Sequence, residues 1–121
     1  MDIVRIYADA DGESHFEDVT LDLGDLTVGT LRTASSELWP TAGLQFRTVE
    51  SDFESDLHTA GQRQLVINLA GWNELEVSTG ERRAFGPGTV VLVEDTNGRG
   101  HKAAKKNGQP LHMLIVRLGH A

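Results

Sequence analysis

Two histidines stand where an imidazole could carry out acid–base chemistry. His101 follows a glycine-rich turn, and His112 lies within the last apolar segment of the chain. An imidazole titrates near neutral pH, so inside an apolar pocket it can move protons for enolisation, dehydration or cyclisation. Gln64 and Asn68 have amide groups that can orient a carbonyl or a hydroxyl beside such a base. We therefore predict His101 and His112 as catalytic residues.

Other catalytic groups are missing or poorly placed. The chain has no cysteine, which excludes thiolate nucleophiles, thiolate metal sites and disulfides. No serine lies in a Gly-x-Ser-x-Gly sequence, and no phosphate-binding Gly-Lys-Ser/Thr follows the glycines at 86 and 88. Glu94 and Asp95 are adjacent and should point to opposite faces of a strand, so we expect one to hydrogen-bond a turn and the other to be solvated. We expect His15 and His120 at the surface.

Alternating segments separated by glycine and proline must position these residues. Period-two patterns predict strands at 3–7, 16–23, 42–49, 62–69, 75–77, 83–85, 90–93 and 111–118. In the last of these, His112 has the parity opposite to Arg117, so if Arg117 faces solvent, His112 faces the interior. The main helical signal is one turn at 33–38, stopped by Pro40. We predict an all-β antiparallel sandwich or barrel with under about a tenth of its residues in helix.

The spacing around position 58 resembles the first motif of the cupin superfamily, whose members are small antiparallel jelly-roll barrels. That motif reads G-x5-H-x-H-x(3,4)-E-x6-G. His58 matches its first histidine and Gly71 its last glycine. Ala60 stands at the second histidine, Gln64 at the glutamate and Asp52 at the first glycine.

The spacing before position 101 resembles the second cupin motif, G-x5-P-x-G-x2-H-x3-N. Gly98 and His101 reproduce its G-x2-H, whereas Thr96 replaces the proline and Lys105 the asparagine. The whole chain is similar to the small bacterial single-domain cupins. The resemblance therefore implies one jelly-roll domain over residues 1–121.

The resemblance also implies a metal site. A cupin site binds a divalent transition metal, such as Fe, Mn, Ni or Zn, through imidazoles and a carboxylate inside the barrel, and His58, Gln64 and His101 occupy matching ligand positions. Such a centre would act on a small organic molecule by isomerisation, cyclisation or oxygen chemistry. Because glutamine replaces the carboxylate, the set is neutral, and we expect weaker affinity. The alternative is a metal-free barrel in which the same residues bind or sense a small molecule without catalysis.

The charge of the chain restricts its partners. The net charge of −7 at pH 7 argues against nucleic-acid binding. The basic cluster Arg99, Lys102, Lys105 and Lys106 is interpreted as a surface loop or as a rim that attracts an anionic ligand. No signal pattern and no apolar run near the roughly 20 residues of a membrane span is present, so we expect a cytoplasmic protein without membrane contact. Cupins often pair through edge strands, so the resemblance implies a homodimer.

Overall fold

The computed structural model describes residues 1–119, which form strands and no helix. The strands are β1 (Asp2–Ala8), β2 (Ser14–Thr20), β3 (Gly24–Val28), β4 (Leu31–Ser35), β5 (Thr41–Val49), β6 (Phe53–Glu54), β7 (Gln64–Ala70), β8 (Asn73–Val77), β9 (Arg82–Phe85), β10 (Val90–Val93), β11 (His101–Lys105) and β12 (Leu111–Leu118). The predicted all-β class is confirmed. No helix in this part of the chain is long and apolar enough to cross a membrane.

Two sheets face each other across the main core. The larger has the strand order β2-β1-β10-β7-β12-β5 and the smaller the order β6-β11-β8-β9. Every pair is antiparallel except β1 with β10, which run parallel. The residues that pack between the sheets alternate along their strands with outward-facing ones, and include Ile6, Val91 and Val93 of the larger sheet and Leu75, Val77 and Phe85 of the smaller. This is the predicted jelly-roll architecture, although the two sheets do not close into a continuous barrel.

The β3–β4 pair forms a separate two-stranded ribbon. Its turn contains Gly29 at a φ of +61°, a conformation that glycine adopts without strain. Leu26, Val28 and Leu31 on the ribbon are exposed. The helical turn expected at 33–38 is therefore wrong, because cross-strand pairing extends β4 to Ser35.

Two of the four residues of the basic cluster, Lys102 and Lys105, lie on a strand and not in the predicted loop. Residues 101–105 form β11, and the side chain of Lys105 is fully buried. Its ammonium donates to an Asp52 carboxylate oxygen at 2.8 Å and to the Glu50 carbonyl at 3.3 Å. The hydrogen bond from Lys105 holds the pKa of Asp52 below its ordinary value, helped by the backbone N–H of Gly108.

The other cations of the cluster also face carboxylates. Lys102 lies 3.8 Å from Glu76, and Lys106 lies 3.0 Å from Glu54. Arg99 pairs with Glu13 at 3.2 Å. Exposed pairs of this kind contribute little to stability. They do neutralise the cluster, so it does not form a free basic rim for an anionic ligand.

Candidate active site

A cavity of about 370 Å³ lies between the two sheets. Its apolar lining comes from both sheets, and its polar lining is concentrated towards the strand ends. The apolar residues are Val49, Phe53, Val66, Leu75, Val93, Ala103, Met113 and Ile115, and the polar ones are Arg47, Ser55, His58, Gln64, Asn73 and His101. A volume of this size is at the small end of the range for sites that hold organic ligands.

His58 and His101 are joined through their backbones. Each donates its N–H to the other's carbonyl, at 3.0 and 2.9 Å, and the two ring centroids lie 4.8 Å apart. Gly100 makes this bridge possible. A Cβ at position 100 would lie 2.0 Å from the His58 carbonyl oxygen, and φ there is +77°. The glycine-rich turn seen in the sequence therefore positions both imidazoles.

Asp95 orients the His101 ring. Its side chain is fully buried, and its Oδ2 lies 2.6 Å from Nδ1 of His101. Because the carboxylate accepts, we assign the proton of the neutral ring to Nδ1, which leaves the Nε2 lone pair for the cavity. The other oxygen, Oδ1, has no hydrogen-bond partner among residues 1–119. Asp95 was expected to bond a turn or to be solvated, and that expectation is wrong.

Glu94 points to the other face of the sheet, as expected for a neighbour of Asp95. Arg5 and Arg63 donate to its two carboxylate oxygens at 2.5 and 2.6 Å. Burial alone would raise the pKa of Glu94, but these two hydrogen bonds outweigh burial and hold that pKa below its ordinary value. The two adjacent carboxylates thus have separate environments and do not form a catalytic pair.

The contacts of the His58 ring assign it the same tautomer as His101. Its Nδ1 lies 3.0 Å from the backbone carbonyl of Asp56 and 3.5 Å from the Ser55 hydroxyl. A carbonyl can only accept, so we assign the proton to Nδ1 and the lone pair to Nε2. Unlike His101, His58 is exposed. The site therefore has one buried and one solvent-accessible imidazole.

Gln64 is the first residue of β7 and lies at the end of the cavity that holds His58 and His101. It is half-buried and stands opposite Val93 on β10 and Arg117 on β12. The structure thus brings His58, Gln64 and His101, which were chosen from the motif spacing, to one cavity. Their roles stay predictions.

Comparison with solved structures gives the fold family. A Cupin 2 conserved barrel domain protein from Salinispora arenicola CNS-205 is similar to this chain with a TM-score of 0.51 and 26% identity, covering 69% of this chain and 71% of that one. The chain belongs to the cupin superfamily. The Cupin_2 domain of an XRE family transcriptional regulator from Enterobacter cloacae is similar with a TM-score of 0.39 and 19% identity, covering 99% of this chain and 97% of that one. No family model and no curated protein matches the sequence.

His112 of this cupin lies outside the cavity. It is exposed, and its Nδ1 is 3.0 Å from the Thr48 hydroxyl on β5. Met113 and Ile115 are the β12 residues that line the cavity, and Arg117 shares their face. Arg117 reaches solvent in a groove beside Ile115. Its exposure therefore does not mean that it lies on the outer face of the sheet. The predicted inward position of His112 is wrong.

The remaining histidines take no part in the cavity. His15 is partly exposed, and its Nε2 lies 2.6 Å from the Asp9 carboxylate, in agreement with the expected surface position. This contact is the first cause of the lowered pKa of Asp9. His120 falls outside the residues that the structure describes.

The residues of this cavity do not supply the usual cupin metal ligands. The end of the cavity that holds the histidines offers two imidazoles and one neutral amide oxygen, from Gln64, and no three His, Asp or Glu side chains of residues 1–119 come together as a metal site. Catalytic zinc centres use three protein ligands, most often imidazoles and a carboxylate. Ala60, at the second histidine of the motif, is buried in the main core. Compared with the usual cupin ligand set, this site therefore lacks one imidazole and the carboxylate.

Proposed function

We propose that this cupin binds a small organic molecule between its sheets and that His101 exchanges protons with it. The observation that carries the proposal is the buried Asp95–His101 pair at 2.6 Å, which leaves Nε2 of the imidazole for the cavity. A histidine held by a buried carboxylate is a common general base, because the carboxylate fixes the tautomer and stabilises the imidazolium that forms. Asp95 is a positioning residue in this scheme.

The neighbouring groups suit proton abstraction beside a carbonyl. Nε2 of His101 accepts the proton from the carbon, and the electron pair moves to the carbonyl oxygen. The Gln64 amide can donate a hydrogen bond to the enolate oxygen. The imidazolium formed at His101 can then return its Nε2 proton to the same or the adjacent carbon, and the His58 ring lies beside it, with its centroid 4.8 Å from that of His101. The reaction class is therefore isomerisation through an enol.

Proton exchange measures this activity directly. A panel of small keto acids and hydroxy ketones is incubated in deuterated water, and loss of the α-proton is followed by NMR. We expect exchange with wild type, and a reduction of roughly a hundredfold or more in His101→Gln. The matched control is His112→Gln, which changes the histidine outside the cavity. Both variants are checked for folding by thermal unfolding. An equal loss in the two variants would refute the role of His101.

A ligand-binding or sensing cupin without catalysis is the second candidate. The specific observation in its favour is that both imidazoles are anchored at Nδ1, so the polar groups of the cavity suit recognition as well as proton transfer. Binding of a panel compound without exchange of its α-proton assigns this function. Exchange that depends on His101 excludes it.

A metal-assisted function is the alternative that cupin membership suggests. Both Nε2 lone pairs are free while both Nδ1 atoms are held, which is the arrangement seen around metal-bound imidazoles. Calorimetric titration with Zn, Mn, Ni and Fe(II) tests it in wild type, His58→Ala and Gln64→Glu. Stoichiometric binding by wild type that disappears in His58→Ala supports a metal centre. Binding only by Gln64→Glu shows that the missing carboxylate abolishes the site.

We also propose that this cupin forms a homodimer through β5. This strand ends the larger sheet, so one of its edges has no strand partner within residues 1–119. Leu44 and Phe46 on its outer face are 57% and 77% exposed. The one charged residue of β5 is Arg47, which lines the cavity, so the outer face lacks the negative charge of the rest of the molecule. Long exposed apolar edges favour pairing with another strand.

The oligomeric state tests the dimer. Sedimentation velocity of wild type should show a dimer, and Phe46→Glu should give a monomer. Leu38→Glu, at an exposed leucine outside the sheet, is the matched control and should remain dimeric. A monomeric wild type at micromolar concentration would contradict the proposal.

A further inference from the structure

The cavity has a second polar end, away from Gln64. Arg47 on β5 stands opposite Met113 on β12, and Met113 stands opposite Asn68 on β7. Gln64 and Asn68 are four residues apart on the same strand, which corresponds to about 13 Å. The larger sheet thus places Arg47 at one end of the cavity and Gln64 at the other.

The smaller sheet repeats this separation. His101 on β11 stands opposite Val77 on β8, and Asn73 lies four residues before Val77, again about 13 Å away. The ends correspond across the cavity, because Asn68 donates to the carbonyl of Phe85 at 3.0 Å and Phe85 pairs with Asn73. Arg47 and Asn73 therefore share one end, and Gln64 and His101 share the other.

The polar groups at the Arg47 end are not satisfied by the protein. The Arg47 guanidinium forms hydrogen bonds within residues 1–119 only to the neutral amide oxygen of Gln45, at 2.6 and 3.2 Å. Asn73 is 9% exposed, and its Oδ1 has no hydrogen-bond partner among the same residues. Buried acceptors are almost always paired, and an arginine fork matches a carboxylate. The unpaired Asn73 Oδ1 therefore points to a ligand at this end, and the exposed Arg47 guanidinium is available to bind a carboxylate beside it.

The middle of the cavity is apolar. Val66 and Ile115 line it from the larger sheet, and Leu75 and Ala103 line it from the smaller. A ligand that reaches both polar ends must therefore cross an apolar segment. Its own surface there should be apolar, because an unpaired polar group would lose hydration without gaining a hydrogen bond.

We propose that the ligand is an elongated organic carboxylate, bound with its carboxylate at Arg47 and its far end at His101. A hydroxyl beside the carboxylate would donate to Asn73 Oδ1, and an apolar stem would fill the middle. The orientation rests on the proposed function, since it places the reacting group beside the imidazoles. The substrate class is thus a medium-chain keto or hydroxy acid whose reacting carbonyl is remote from its carboxylate.

Calorimetry with matched probes tests the charge and the orientation. The probes are octanoate, its α-hydroxy derivative, butanoate and octanol. Wild type should bind octanoate roughly ten- to a hundredfold more tightly than octanol or butanoate, and Arg47→Gln should remove that difference. Arg117→Gln is the matched control, because Arg117 is exposed on the same sheet face but lies outside the cavity and at the opposite end. Octanoate should bind this variant within about twofold of wild type, a change of under about 0.4 kcal/mol.

The outcomes separate this proposal from the proposed function. Octanol binding as tightly as octanoate, or equal losses in Arg47→Gln and Arg117→Gln, would overturn the carboxylate assignment without affecting the proton-transfer role of His101. Retained octanoate binding by His101→Gln together with lost binding by Arg47→Gln supports the assignment even if no keto acid exchanges protons. Failure of every probe to bind wild type would overturn the assignment.

Discussion

Replacing Asp95 with asparagine tests the tautomer of His101 on which the proposed chemistry depends. The amide has nearly the same size as the carboxylate, so the core is not disturbed by a cavity. Its NH2 group can donate to Nδ1 of His101, whereas the carboxylate can only accept. The ring proton should therefore move to Nε2, and the lone pair that serves as the base in the cavity should disappear.

The cost to stability follows from the surroundings of Asp95. A hydrogen bond to a charged group contributes about 1.5 to 3 kcal/mol, and the contact of 2.6 Å is fully buried. Removing the carboxylate also removes a buried charge whose Oδ1 has no partner within residues 1–119, which offsets part of the loss. We expect Asp95→Asn to be less stable by about 1 to 2 kcal/mol, or roughly 3 to 10 °C in Tm.

Nitrogen-15 NMR of the imidazoles, recorded in alkaline buffer, measures the tautomer. Wild type should show a protonated Nδ1 at His101, and Asp95→Asn a protonated Nε2. Glu94→Gln is the matched control, because it changes the adjacent carboxylate on the other face and should leave the ring unchanged. A wild-type ring protonated at Nε2, or an unchanged tautomer in Asp95→Asn, would refute the reasoning.

Three further predictions concern the backbone bridge, the buried lysine and the core. Gly100→Ala should cost more stability than Gly80→Ala by about 1 to 3 kcal/mol in urea unfolding, because both have positive φ but only position 100 has a carbonyl oxygen 2.0 Å from the new Cβ. The pKa of Asp52 is lowered by Lys105, so this pair stabilises the fold above the ordinary aspartate pKa of 3.8 and its contribution is lost as the pH falls through the lowered value. The free energy of unfolding, measured from neutral pH into acid, should therefore fall more in wild type than in Lys105→Met, and equal slopes would contradict this. Ala60→His should lower Tm without creating a metal ligand, because residue 60 is packed in the main core, and overpacking costs about 1 to 3 kcal/mol.

Much of the fold could be predicted from alternation alone. The segments at 3–7 and 111–118 each fall within an observed strand, because burial of one sheet face imposes a period of two. The segment at 42–49 also falls within a strand, although almost all of its residues are exposed. The β3–β4 ribbon was missed because it has no such buried face. Its apolar residues are exposed, so no buried face imposes a regular pattern on the sequence. Its pairing depends on a local turn at Gly29.

The candidate site was only partly predictable. His58, Gln64 and His101 follow from motif spacing, and all line the cavity. Asp95 was missed although it continues the parity of the buried Val91 and Val93, which would have placed it inside.

Side-chain direction at the ends of strands was not predictable from residue type. Lys105 was assigned to the surface by its charge, but it shares the parity of His101 and is buried beside Asp52. The direction of His112 was inferred from the exposure of Arg117. That inference failed because an inward-facing residue near the end of a sheet can still reach solvent.

The bridge between His58 and His101 has a consequence for when the proposed active site forms during folding. It joins residues on either side of β7, β8, β9 and β10, so all four strands must be in place before the two imidazoles meet. Contacts between residues far apart in sequence form late in folding and slowly. A partly folded chain would therefore lack the paired imidazoles altogether. Substitutions in these strands at residues that do not line the cavity should lower the fraction of molecules that have the paired imidazoles, while leaving the proposed proton exchange of each folded molecule unchanged.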